Sequence, residues 1–223
     1  DCGTHTPKQK EVLAAVKNYF GSQRIDGMML LGDNAYSYGL DEEYQGNFFN
    51  IYQDELLKNT VLWPSLGNHD YADRVWPSNF GTYPAYFDIF SLPTQGESGG
   101  LASNSEAYYS YDVGNVHFVS LDSYGKEEGK RMADLMSAQA DWLQKDLGLN
   151  KQDWTVVYFH HPPFSKGSHD SDKEQELVDI RNNLTPIFDK YNVDLVMNGH
   201  SHSYERSYLL NGYQGDENSF RFQ

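Results

Sequence analysis

Apolar side chains recur along the chain at two periods, and the period changes where glycine, proline or a carboxylate interrupts it. Over 8–20, Val12, Leu13, Val16 and Phe20 make one helical stripe, opened by Thr6-Pro7 and closed by Gly21. An apolar run over 25–31 predicts a buried strand that stops abruptly at Gly32-Asp33. A second helix is expected over 41–57, with Tyr44, Phe48, Ile51, Tyr52 and Leu56 on its apolar face, and a short strand over 61–66. Residues 71–106 show no period; Trp76, Phe80, Tyr83, Tyr86, Phe87 and Phe90 lie among prolines and glycines there. An aromatic cluster that pins this long loop is the reading preferred over a platform for substrate. Alternation over 108–113 and 116–121 across Gly114-Asn115 predicts a hairpin. Then follow a helix over 130–147, a strand over 154–159, a helix over 172–191 that Pro186 breaks or kinks, a strand over 193–197, and a further strand over 204–210. Strands alternating with helices, apart from the hairpin, give an α/β class with mixed sheets, and no repeat or linker divides the chain.

Four of the predicted strands end in chemistry-bearing residues: Gly32-Asp33-Asn34-Ala35-Tyr36, Gly67-Asn68-His69-Asp70, Val157-Tyr158-Phe159-His160 and Gly199-His200-Ser201-His202. Sites in open α/β sheets are built at strand ends. Each cluster has an ordinary explanation when taken alone. Asp33 and Asn68 after glycine are turn residues, Tyr36 is a packed aromatic, and a lone His160 closing an apolar strand is a core residue. Two imidazoles at i and i+2, His200 and His202, have no packing rationale. The joint occurrence of carboxylate, phenol, carboxamide and imidazoles at successive strand ends favours one site that holds one or two transition-metal ions.

Composition narrows the partners. The 223 residues carry a formal net charge of -15 with no basic cluster, which opposes nucleic-acid backbones and anionic membranes. An anionic substrate then needs a local reversal of sign, and bound cations supply one. Cys2 is the sole cysteine, so no intrachain disulfide forms, and no apolar stretch is long enough to span a bilayer.

Together with Asp1-Cys2-Gly3 at the start, these blocks run in the order Asp-x-Gly, Gly-Asp-x-x-Tyr, Gly-Asn-His-Asp, Val-x-x-His, Gly-His-x-His. The sequence thereby resembles the purple acid phosphatases of the calcineurin-like metallophosphoesterase superfamily, nearly end to end. Gly-Asn-His and Gly-His-x-His mark the superfamily, and Tyr36 narrows the likeness to the purple branch. The resemblance implies a four-layer sandwich of two mixed β-sheets flanked by helices, forming one catalytic domain over 1–223. In that fold a core strand precedes the first aspartate. Here that strand is missing and the chain stops soon after Tyr204-Glu205-Arg206, so a chain trimmed at both ends is expected. A secreted, extracellular or periplasmic location is likewise implied by the family, although no signal peptide is visible.

Carried over residue by residue, the resemblance gives one metal to Asp1, Asp33, Tyr36 and His202 and a second to Asp33, Asn68, His160 and His200, with Asp33 bridging. Phenolate and carboxylates suit Fe(III), and the imidazoles and carboxamide suit Zn(II), Mn(II) or Fe(II). Hydrolysis of a phosphate monoester by a metal-bound hydroxide follows, with His69 on the phosphate and His169, nine residues after His160, as the acid for the leaving group. His161 is a weaker candidate that supports His160; His5 and His117 read as structural. The expected partner is a small phosphorylated substrate, and the oligomeric state is left open. Two alternatives stand beside this reading: a phosphodiesterase or nucleotide hydrolase on the same metals, and a metal-stabilised binding module without turnover. Asn183-Leu184-Thr185 is a glycosylation sequon, informative only in a secreted eukaryotic protein.

Overall fold

The computed structural model describes residues 1–72, 83–212 and 215. Helix α1 (Pro7–Phe20) starts with Thr6 in extended backbone and Pro7 in its first turn, and Gly21 closes it at φ 57°. Strands β1 (Gly27–Leu31) and β2 (Val61–Ser65) pair in parallel as a two-stranded sheet. Between them lies α2 (41–57), a continuous helical stretch that widens into π turns at Tyr44–Phe49 and Gln53–Leu57. Its Tyr44, Phe48 and Tyr52 are buried in line, four residues apart.

The second sheet has the order β3-β4-β5-β6: β3 (Tyr109–Val113), β4 (Val116–Ser120), β5 (Trp154–Phe159) and β6 (Leu195–Asn198). The β3–β4 hairpin is antiparallel and the other pairs are parallel, so this sheet is mixed. Strand alternation sorts side chains to two faces. Tyr109, Tyr111 and Tyr158 face the first sheet and meet Met29, Leu31 and Trp63, with Trp63 stacked on Tyr111 at 3.8 Å. Tyr86 and Tyr109 each donate a phenolic hydrogen bond to the Pro64 carbonyl, which satisfies both groups inside this aromatic layer. Val119, Val157 and Phe159 point the other way, onto α4 (Ala138–Leu149) and α5 (Gln175–Lys190). Leu30 turns outward from β1 onto Leu13 of α1 and Phe48 and Tyr52 of α2. The order is therefore helices, sheet, sheet, helices, the four layers expected.

Several sequence expectations change. The helix over 130–147 begins only at Ala138. Asp134 accepts from the Met136 amide and Ser137 caps Ala140, so side-chain bonds hold 130–137 in turns. The helix over 172–191 starts at Gln175 and runs through Pro186 unbroken. No strand forms over 204–210; Tyr204, Tyr208 and Leu209 stand exposed there. The loop over 71–106 carries α3 (Tyr86–Ile89), whose Tyr86 packs with Phe90 against Tyr44, so that part is an aromatic pin. Trp76 and Phe80 lie outside the described residues. The Asn183 carboxamide nitrogen, mid-helix in α5, donates to the Ala133 carbonyl, a poor setting for a glycan acceptor. Among the described residues no helix is long and apolar enough to cross a membrane.

His117 is structural, as its sequence context suggested. It is buried on β4 with Nδ1 at 2.7 Å from Asp112 and Nε2 at 2.8 Å from Asp146. Both carboxylates only accept, so the ring carries both protons. Burial opposes that charge, but Asp146 and then Asp112 raise the imidazole above its ordinary range. A raised folded value stabilises below the ordinary imidazole pKa of about 6.5, and the gain is lost as pH rises through the folded value. Urea midpoints are therefore expected to fall between pH 6 and 8 in the parent chain. They should fall less in His117→Gln, which is itself destabilised by roughly 3 kcal/mol at pH 6. Equal pH slopes in the two proteins would count against the pairing.

Candidate metal centre

The carboxyl ends of β1, β2, β5 and β6 converge, and each leaves its strand through a tight backbone. Asp33 and His200 sit at φ 51° and 65°, the left-handed region that non-glycine residues rarely occupy. Glycines precede Asp33, Asn68 and His200 because the neighbouring strand ends leave no room for a side chain. A Cβ on Gly67 would lie 2.2 Å from Asp33 Oδ1, and one on Gly32 2.7 Å from the His160 side chain. Gly199 has Leu31 O and Asp1 Oδ2 at 2.7 and 2.9 Å from the same construction. Asp70 ties the first two ends together. It accepts from the Asn34 and Gly67 amides at 3.0 and 2.8 Å and from Tyr44 Oη at 2.6 Å. Burial, then the charge on Asp33, raises its carboxyl to about 6.

The side chains brought together are the ones the sequence singled out. Tyr36 Oη lies 2.7 Å from Asp1 Oδ1, 3.0 Å from Asp33 Oδ2 and 3.0 Å from His202 Nε2. His202 Nε2 is also 3.2 Å from Asp1 Oδ1. On the other side of Asp33 Oδ2 stands His160 Nε2 at 3.0 Å, and beyond it His200 Nδ1 at 3.2 Å. His160 donates Nδ1–H to the Leu31 carbonyl at 2.8 Å, which turns Nε2 inward. Asn68 is buried beside them and lines the same cleft, which encloses about 520 Å³.

The donor set fits cations. A phenol has one proton, yet three acceptor-capable atoms crowd Tyr36 Oη, and two imidazole nitrogens face each other across 3.2 Å. Burial and then the neighbouring His160 and His169 push His200 down to about 3, so its ring is neutral and carries a lone pair. Burial opposes ionisation of Asp33, but His160 holds its carboxyl well below the usual range. Burial and Asp33 push the Tyr36 phenol upward, a shift that a bound cation reverses. Asp1, Asp33 and His160 form one cluster of potential ligands, and His160, His161 and His200 another.

His69 packs tilted against Tyr36, ring centres 4.3 Å apart, and donates Nδ1–H to the Ser37 carbonyl, with Nε2 3.9 Å from Asp33. His169 lines the cleft, stacked on His200 at 3.8 Å, with Nδ1 2.8 Å from Glu174. His161 is fully in the wall: Ser123 Oγ lies 2.8 Å from its Nδ1, and Tyr124 stacks beside it. Burial and the neighbouring His160 keep its ring neutral. His5 is exposed and away from the cleft. Sequence reasoning missed Glu174, Ser123 and Tyr124. The latter two follow β4, whose end carries Asp122 but neither the glycine nor the imidazole of the other blocks, and Glu174 sits five residues past His169 with no pattern to flag it.

A profile of the calcineurin-like phosphoesterase family matches residues 4–204. An uncharacterised protein of Mycobacterium tuberculosis is 32% identical over 163 residues, which cover 69% of this chain and 29% of that protein. Purple acid phosphatase 15 of Arabidopsis thaliana is 30% identical over 181 residues, covering 79% of this chain and 31% of the relative. The solved structure of a purple acid phosphatase from yellow lupin (Lupinus luteus) seeds superposes with a TM-score of 0.62. The match covers 88% of this chain and 34% of the lupin chain at 20% identity, and speaks for the fold. The chain thus spans about a third of the length of these two curated relatives.

Proposed function

This chain belongs to the calcineurin-like phosphoesterase family, and on that premise we propose that it hydrolyses phosphate monoesters at a centre of two metal ions. The family is metal-dependent. The observation that carries the two-ion reading is the position of Asp33 Oδ2, 3.0 Å from both Tyr36 Oη and His160 Nε2. One carboxylate oxygen faces a hard, anionic donor set and a nitrogen-rich one. Asp1, Asp33, Tyr36 and His202 would hold Fe(III); Asp33, Asn68, His160 and His200 would hold Zn(II), Mn(II) or Fe(II). Ions bound there supply positive charge against the phosphoryl oxygens and acidify water for attack on phosphorus.

The chain's own residues do the rest. Because His69 Nδ1–H is committed to the Ser37 carbonyl, Nε2 is the atom left to donate to a phosphoryl oxygen when the ring is protonated. Glu174 accepts from His169 Nδ1 and so fixes Nε2 as the nitrogen that gives its proton to the departing alkoxide. The Asp170 amide donates to the other Glu174 oxygen at 2.7 Å and keeps the pair in register. Neutral His161 packs under the ligands, held by Ser123, and needs no proton of its own. A small phosphorylated substrate fits a cleft of this size, and the extracellular or periplasmic location follows the family resemblance.

Turnover of p-nitrophenyl phosphate, bis(p-nitrophenyl) phosphate and ATP by the metal-loaded chain tests the reading. The monoester is expected to exceed the diester in kcat/KM by ~10-fold or more. The reverse order supports a diesterase, and metal binding without turnover of any of the three supports a binding module.

A further inference from the structure

The loop that carries His169 is tied to the loop that carries His200 and His202, and one side chain, Glu205, makes two of the ties. Residues 165–171 close on themselves: the Ser171 amide donates to the Ser165 carbonyl at 3.1 Å, and the Ser165 amide to Ser171 Oγ at 3.0 Å. Glu205, exposed just past the His-x-His block, reaches back over this turn. Its Oε1 accepts the Lys166 amide at 2.7 Å. Its Oε2 accepts Ser165 Oγ at 2.7 Å, Ser201 Oγ at 3.1 Å and Ser203 Oγ at 3.4 Å. Ser165 Oγ also lies 3.1 Å from the His169 carbonyl, but it has one proton, and the nearer, charged oxygen takes it.

The loops are laced a second time beside this carboxylate. The Ser168 amide donates to Ser201 Oγ at 3.2 Å, and the His202 amide to Ser168 Oγ at 3.1 Å. Gly167 lies in the contact with no room for a side chain: a Cβ would stand 2.1 Å from Ser203 Oγ and 2.4 Å from Ser201 Oγ. Burial works against ionisation of Glu205, yet the Lys166 amide and the serine hydroxyls outweigh it and hold the carboxyl below its ordinary range. Glu205 itself lines no part of the cleft.

We propose that Glu205 is a positioning residue: it clamps the 165–171 loop onto the 199–205 loop and so fixes the His169 imidazole over the cleft, stacked on His200. The proposal rests on the reading of His169 as leaving-group acid. A proton donor displaced by about 1 Å loses up to ~10²-fold in rate, and the loss falls on substrates that need the proton.

The test compares Glu205→Ala and Glu205→Gln with His169→Ala in the metal-loaded chain, on an alkyl phosphate and on p-nitrophenyl phosphate. Amide hydrogen exchange of the 165–170 segment is measured in parallel. Glu205→Ala is expected to lower kcat on the alkyl phosphate ~10-fold more than on p-nitrophenyl phosphate, with KM little changed. Exchange in the segment should rise by ~10-fold or more. Glu205→Gln keeps one acceptor oxygen and should fall between parent and alanine variant in both readouts. Added to His169→Ala, Glu205→Ala should cost nothing further on the alkyl phosphate. Unchanged exchange in the alanine variant overturns the clamp, whatever the kinetics. Increased exchange with equal kinetic losses on the two substrates, while His169→Ala does discriminate between them, overturns the positioning role. If His169→Ala itself fails to discriminate, the acid assignment of His169 falls instead, and exchange alone still judges the clamp.

Discussion

Asp33→Asn is expected to lower kcat/KM on any phosphoester by about 10³-fold or more, the largest loss of any single substitution in the centre. Both donor sets meet at Asp33 Oδ2, next to Tyr36 on one side and His160 on the other. Asparagine preserves size and accepts the left-handed backbone at φ 51° with little strain, so the strand end should keep its course. The acceptor for the His69 amide, Asp33 Oδ1 at 2.7 Å, can be replaced by the carboxamide oxygen. What disappears is the shared negative charge. Charge stabilisation by metal ions is worth several kcal/mol, and about 4 kcal/mol corresponds to ~10³ in rate. The check is twofold: turnover of p-nitrophenyl phosphate, and metal content of the same sample. Parent-like turnover with a full complement of metal would refute the bridging role.

His169→Ala carries the second large effect, and its signature is selectivity. An alkyl phosphate leaves as a basic alkoxide that needs a proton, whereas p-nitrophenolate barely does. General-acid catalysis is worth about 10²–10⁴-fold, so kcat should drop by that order on the alkyl ester and far less on the nitrophenyl ester. The geometry behind this is the Glu174 carboxylate at 2.8 Å from Nδ1, which orients the ring, and the stacking on His200 that holds it at the cleft. Glu174→Gln should reproduce part of the same selectivity. Equal losses on the two esters would assign His169 to phosphate binding instead.

Much of the fold was legible because short apolar runs were closed by glycines that the structure needs for close approach. Gly32 leaves room for His160, Gly67 for Asp33, and Gly199 for the Leu31 carbonyl and Asp1. The alternation over 108–113 and 116–121 announced the β3–β4 hairpin and its two faces, with Tyr109, Tyr111 and Phe118 on one and Val119 on the other. The ligand candidates other than Asp1 were legible for the same reason, since each follows the end of a parallel strand. The rest depends on contacts that no local pattern encodes. Residues 130–137 have helical spacing, but Asp134 and Ser137 spend their side chains on backbone amides. Residues 204–210 have strand-like composition, yet Glu205 turns back to three serines far earlier and nearer in sequence rather than leading into a ladder. Asp70 stood in a block noted for its neighbours; its work, joining Gly67 three residues before it to Tyr44 and Asn34, reaches across 26 and 36 residues of separation.

Two ions sharing one carboxylate is the claim on which the chemistry stands, and elemental analysis of the purified, active chain measures it most directly. The account predicts two metal ions per chain, one of them iron, with both contents falling in Asp33→Asn. A fully active preparation that holds a single ion per chain would contradict it.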